Sequence, residues 1–243
     1  YAVGFKGDSG IDFRLPNQGD IAACKKAETA LASLRPRLEL EGMVPTELYP
    51  TPSTDMRPVH YGMPTWADFF SPRQLLAMLI IQDELRALIP KITAELPEER
   101  AHAVITFLGI AADKCADYSS RLVRWDSTRK KITNTFDRHD FSFKWSHAEF
   151  DGAHNLLPWA IDQIVDASSG IANLVHPVMS SSLFADTLPP PTNRLTFTRG
   201  QAQDLKSIPS GGIRHICVDP PYEKNVQYAE CSDFFYVWLK RSL

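Results

Sequence analysis

The sequence predicts an α/β fold: part of a mainly parallel sheet near the C-terminal end, with a helical insertion upstream of it. Three observations carry this prediction. Two long segments, residues 72–90 and 97–124, place apolar side chains at helical spacing. Two short β-rich runs, residues 195–198 (Leu-Thr-Phe-Thr) and 213–218 (Ile-Arg-His-Ile-Cys-Val), follow much later. The second run leads directly into Asp219-Pro220-Pro221-Tyr222, and ligands of open α/β sheets bind at the carboxyl ends of strands. The chain accordingly divides into an irregular and helical segment (1–60), a mainly helical insertion (61–175) and part of an α/β domain (176–243).

The elements follow in order. Asn17-Gln18-Gly19-Asp20 reads as a turn and helix start, with a helix over residues 21–34. Pro36, Pro45, Pro50, Pro52 and Pro58 then predict an extended segment. Ser71 is an N-cap with Pro72 in the first turn, and Leu75, Leu76, Leu79, Ile80 and Leu88 line one buried face up to Pro90. The next helix carries Val104, Phe107, Leu108, Ala111, Ala112 and Cys115 on its apolar side, and the two are expected to pack antiparallel. Residues 125–152 are rich in aromatic residues and His. Phe141, Phe143 and Trp145 alternate, as in a short strand or extended loop, and serve either packing or a lip that faces a base or cofactor. A helix is expected over residues 155–174, then a Ser- and Pro-rich loop over 180–191, then the two strands, and a last helix from about Ser232.

Composition narrows the classes. The chain has 243 residues, of which 44% are apolar and 10% aromatic, which suits a globular protein with a core. Cys24, Cys115, Cys217 and Cys231 form no Cys-x-x-Cys pair, and His139 and His147 lack helical metal-site spacing, so no metal site is expected. Separated thiols, no membrane-spanning run and no visible signal peptide point to a cytoplasmic protein. Net charge is −3, so contact with nucleic acid needs a local basic surface. The candidate is Arg121, Arg124, Arg129, Lys130 and Lys131, with Arg138 beyond. Arg121 and Arg124 are expected to share a helix face, which serves either phosphate contact or solvation.

Asp219-Pro220-Pro221-Tyr222 has a specific chemical use. Two successive prolines fix φ and donate no N–H, so the chain leaves the strand stiffly with its carbonyls free. An amino group between the Asp219 carboxylate and the Pro220 carbonyl donates both protons and turns its lone pair outward. Tyr222 offers a flat face to a flipped base.

This stretch resembles the catalytic motif of amino-group DNA methyltransferases. The residues after it, Tyr228-Ala229-Glu230 and residues 232–241, are similar to those of large adenine-specific methylases that carry a domain of unknown function and often a zinc ribbon. Gly62-Met63-Pro64-Thr65-Trp66, residues 70–76 and 117–122, and Asn134-Thr135-Phe136 are similar to the same family. The resemblance implies a partial Rossmann-like methyltransferase sheet, S-adenosylmethionine as cofactor and DNA as partner. It implies methyl transfer to adenine N6, with cytosine N4 or RNA adenine as alternatives. Asp219, Pro220, Pro221 and Tyr222 would be catalytic, and Asn225 and Tyr228 would line the substrate pocket beside Arg121 and Arg124. Asp219 and Gln201 would meet the cofactor, although the family commonly has Asp at the latter position.

The sequence departs from the family in one large respect. The Gly-rich loop that follows the first strand is missing, and Gly211-Gly212 precedes a strand instead. The chain opens on Tyr1 and stops at Leu243 in a helix-like run. The expectation is a piece of a larger enzyme, with the missing loop upstream or on a partner subunit. The alternative is a non-catalytic helical binding or scaffold module.

Overall fold

Two helix starts are closed by side chains three residues apart. The Asp20 N–H donates to Asn17 Oδ1 at 3.0 Å, and the Asn17 N–H donates to Asp20 Oδ2 at 2.7 Å. This reciprocal box starts α1, Gln18–Leu40. Ser71 and Gln74 close the same box for α3, Pro72–Glu95, with Pro72 in its first turn. The computed structural model describes residues 2–8, 10–175, 200–201, 203–206, 208–219 and 226–242. Ahead of α1 lies a hairpin of β1 (Val3–Gly7) and β2 (Gly10–Arg14). Between α1 and α3 lie the short helix α2 (Arg57–His60) and a 3₁₀ turn, Trp66–Phe69. Then come α4 (Glu98–Asp117), the hairpin β3 (Arg124–Asp126) and β4 (Lys131–Thr133), α5 (Leu156–Val175) and α6 (Tyr228–Ser242).

Helix ends depart from the sequence reading. Pro36 and Pro90 do not stop their helices: both sit on exposed faces inside α1 and α3. Each removes one N–H, but the residues beyond Pro36 stay anchored by Leu38, which is 2% exposed. Helix α1 ends at Leu40 instead, and Gly42 just beyond it takes the left-handed conformation (φ 69°), with the Met43 N–H reaching Leu38 O at 2.8 Å. Helix α4 stops well short of Arg124. Its last carbonyl, Asp117 O, accepts the Thr135 N–H at 2.8 Å and the Thr135 hydroxyl at 2.7 Å. The two-residue link between α3 and α4 and the bond from Gln74 Nε2 to Ser120 O (3.1 Å) make the pair antiparallel, as expected. Small residues of α4 (Ala111, Ala112, Cys115, Ala116) are buried there, while Val104 and Phe107 face solvent at 36% and 40% exposure.

The chain forms two compact units. One comprises Tyr1–Ile164 with Val226–Leu243, and the other Val165–Asn225. The core of the first is aromatic. Phe234 of α6 packs 5.1 Å from Phe136, 5.8 Å from Phe70 and 6.0 Å from Phe69 between ring centroids. Tyr49, Trp66 and Phe141 complete the cluster. Buried polar groups fix the helix register. Gln82 Nε2 donates to Trp238 O at 3.2 Å, and the Ser242 hydroxyl donates to Gln82 Oε1 at 2.8 Å. Arg241 donates to Gly42 O, Val44 O and Glu47.

The second unit corrects one expectation and leaves another outside the described residues. The described residues between 201 and 212 form successive turns: Asp204 N–H to Gln201 O (3.0 Å), Ile208 N–H to Leu205 O (2.9 Å) and Gly212 N–H to Pro209 O (3.0 Å). Residues 213–218 are not a strand but exposed irregular chain, with Ile216 81% exposed. A strand is held by its ladder, and no described residue pairs with this segment. The run at 195–198 lies outside the described residues. The protein is thus mixed α/β, but its described sheets are two antiparallel two-stranded hairpins, and no Rossmann-like sheet is present among the described residues.

Two outcomes test this packing. Phe234→Ala leaves a cavity shared by chain segments far apart in sequence. It should lower stability by about 3–5 kcal/mol in urea unfolding. Burial pushes the Asp113 carboxyl up from its ordinary 3.8 to about 7, and one of its oxygens has no partner among the described residues. The folded chain therefore holds this proton to higher pH than the unfolded chain. Stability falls as pH rises between those two values. Asp113→Asn should raise the melting temperature at pH 7, with the gain vanishing near pH 4.

Candidate functional site

Asp219 is exposed, in irregular chain. Pro220, Pro221, Tyr222 and Asn225 lie outside the described residues. Gln201 is exposed and pairs through its backbone with Asp204, whose carboxylate meets Lys206 Nζ at 2.6 Å. Tyr228 is the first residue of α6 and is 55% exposed. Near that helix start, Glu230 accepts a hydrogen bond from the Ser53 hydroxyl. Burial, reinforced by Glu230, pushes the neighbouring Cys231 thiol up to about 11, and burial pushes Cys115 up to about 12. Burial thus disfavours the thiolate at both positions. No metal-holding cluster occurs among the described residues.

Arg121 and Arg124 do not share a helix face. Because α4 ends at Asp117, Arg121 lies in the following loop, where its N–H donates to Phe69 O at 2.7 Å and its guanidinium to Asp68 O at 3.2 Å. Arg124 opens β3 and donates to Asp137 Oδ2 at 2.8 Å. Lys144 Nζ, its side chain 6% exposed, reaches the other Asp137 oxygen at 2.8 Å. Burial alone would raise the Asp137 carboxyl, but Lys144 and Arg124 together hold it below the usual carboxylate range. The basic residues Arg129, Lys130 and Lys131 form the exposed turn between β3 and β4 and the start of β4. Asp126 Oδ1 fixes this turn by accepting the Thr128 and Arg129 N–H groups at 3.0 and 3.1 Å.

The aromatic-rich region divides between core and surface. Phe136 and Phe141 are core residues, whereas Phe143 and Trp145 are 47% and 95% exposed. The segment between Phe141 and Trp145 is irregular, not a strand. Phe143 sits 5.4 Å from Tyr61 and 5.4 Å from Trp145 between ring centroids, so three exposed rings form a ladder. Its rings line a shallow cavity of about 350 Å³ with Arg57 and Ser142. A second cavity, of about 500 Å³, is lined by Phe143 and Trp145 with Arg124, Arg138 and Lys144 among others. Arg57 is held by Asp55 at 2.6 Å and Asp140 at 3.4 Å. Arg57 and Tyr61, at and just beyond the two ends of α2, escaped the sequence reading. The Pro-rich segment around them carries no periodic signal.

Asp137 is the electrostatic hinge of this surface. Its depressed pKa contributes stability above the ordinary value of 3.8, which is lost as pH falls through the lower folded value. Asp137→Ala leaves Lys144 buried and unpaired. It should cost about 3 kcal/mol at pH 7 in thermal or urea unfolding, and less in strong acid. Compared with known proteins, the chain matches no family model, no curated protein and no solved structure.

Proposed function

We propose that this chain carries the amino-group site of an S-adenosylmethionine-dependent DNA methyltransferase acting on adenine N6. The observation that carries the reading is the run Asp219-Pro220-Pro221-Tyr222, with Asp219 open to solvent. The residues present fit only one end of the cofactor. The exposed Gln201 amide suits the cofactor's adenine amino group. The methionine end finds no glycine cradle among the described residues. A Cβ on Gly212 would lie 3.1 Å from Pro209 O, which is the crowding of a turn. When bound, the cofactor supplies a methyl group already activated on a sulfonium, so the remaining work is to aim the nucleophile.

Asp219 and the Pro220 carbonyl do that aiming. An exocyclic amine is a poor nucleophile because its lone pair is delocalised into the ring. Hydrogen bonds to these two acceptors would favour a pyramidal nitrogen and stabilise the positive charge that develops there. Asp219 then accepts the proton that the nitrogen releases. Tyr222 stacks on the target base after it leaves the duplex, and Asn225 and Tyr228 wall the pocket.

A second reading is a non-catalytic helical binding module. It is favoured by residues 213–218, which are exposed irregular chain where a strand was expected. One experiment separates the two. The complete gene that encodes this chain is expressed in a methylation-deficient host, as wild type and as Asp219→Ala, and host DNA nucleosides are quantified by mass spectrometry. N6-methyladenine with wild type only is the expected result. N4-methylcytosine replaces the base assignment, and N6-methyladenine retained in Asp219→Ala overturns the mechanism. No methylated base at all favours the binding module.

A further inference from the structure

We propose that the ladder of Tyr61, Phe143 and Trp145 is a stacking platform for the unpaired bases of single-stranded DNA, with the 129–131 turn and Arg138 neutralising its phosphates. The choice of DNA rests on the methyltransferase reading, in which a base leaves its duplex, whereas the stacking chemistry stands without it.

Three observations support the platform. Trp145 is 95% exposed, and the rings beside it are 44% and 47% exposed, so a large apolar area stands in water next to charge. The rings meet edge to face or tilted, with interplanar angles of 88° between Phe143 and Trp145 and 52° between Tyr61 and Phe143. An edge-to-face contact occupies one face of one ring only, and Trp145, at 95% exposure, keeps its indole surface open to bases.

The charge balance is the second observation. Asp55, Asp137 and Asp140 are each ion-paired with Arg57, Arg124 or Lys144, and the one further acid at the basic turn, Asp126, accepts the Thr128 and Arg129 N–H groups. Arg138 lines the same cavity as Phe143 and Trp145 and makes no ion pair with a described residue. The three cations at 129–131 likewise make none among the described residues, so the surface carries surplus positive charge although the whole chain is at −3.

Third, the basic turn adjoins the ladder. The Trp125 N–H donates to Ser146 O at 2.6 Å, and the Ser146 hydroxyl donates to Trp125 O at 3.2 Å. This sets Trp145 alongside the end of β3 from which the turn emerges. A cationic track beside sequence-tolerant aromatic faces is the recognised chemistry of single-strand binding.

The test measures fluorescence anisotropy of a fluorescein-labelled oligothymidylate of about 16 nucleotides titrated with the full chain. Trp145→Ala should weaken binding about tenfold, and Trp145→Phe should largely restore it. Trp145 is almost wholly exposed, so neither variant threatens the fold. Replacing the three cations at 129–131 with Ala should lower the slope of log K against log salt by about 2. The proposal is overturned if Trp145→Ala binds like wild type, if a duplex of equal length binds as tightly as the single strand, or if an oligouridylate is preferred. These constants are read without any methyl transfer, so a failed methylation experiment leaves them standing and sinks only the Asp219 reading.

Discussion

The burial of Phe234 among Phe69, Phe70 and Phe136 is the contact on which the rest of the first unit depends. It joins α6 to a core otherwise supplied by residues far earlier in the chain. Aromatic rings bury more area than any other side chains, and their edge-to-face geometry fixes mutual orientation as well as proximity. Around this cluster the polar groups only set register. Gln82 is fully buried and both of its amide atoms are spent on α6, one on Trp238 O and one on Ser242. A helix that slipped by one residue would lose both bonds and leave an amide unpaired in the core.

The same packing determines how the segment carrying Asp219 is tethered. The chain leaves the first unit after Ile164 and returns at Val226. Its departure and return are both anchored on α4. Trp159 of α5 packs on Tyr118, just beyond the end of α4, at 4.7 Å, with Lys114 Nζ over both rings. Helix α6 lies against α4, whose buried face is built from small residues, and small side chains let helix axes approach closely. Within the excursion, residues up to Val175 continue α5 and the described residues between 201 and 212 are held by local turns, whereas the residues that bracket it are held by tertiary contacts.

The surface of the first unit shows how a chain of net negative charge builds a local basic face. Asp55, Asp137 and Asp140 orient Arg57, Arg124 and Lys144 instead of opposing them, and the remaining cations sit on a turn that Asp126 shapes through backbone N–H groups. The carboxylates therefore act as positioning groups. The cations that they position hold Asp55 and Asp137 below the usual carboxylate range, whereas the Ser142 hydroxyl and N–H, ahead of Arg57, do so for Asp140.

The sequence by itself determined what short-range chemistry controls. The helix starts at Asn17 and Ser71 were legible because each capping box is complete within four residues. The antiparallel α3–α4 pair was legible from two apolar helical periods that follow one another closely, although the sequence reading ended the first of them at Pro90. Tertiary structure alone decided the helix ends, because Leu38 and Thr135 outweigh the local signals of Pro36 and of the apolar period after Asp117. It also decided which aromatic residues enter the core. Phe141 and Phe143 look alike in sequence, yet one meets Phe69 and the other meets water. It separated Arg121 from Arg124 as well, since a helix face exists only where the helix does. Lastly, a strand-like run such as 213–218 becomes a strand only when a neighbour completes its ladder, and sequence records the propensity but not the partner.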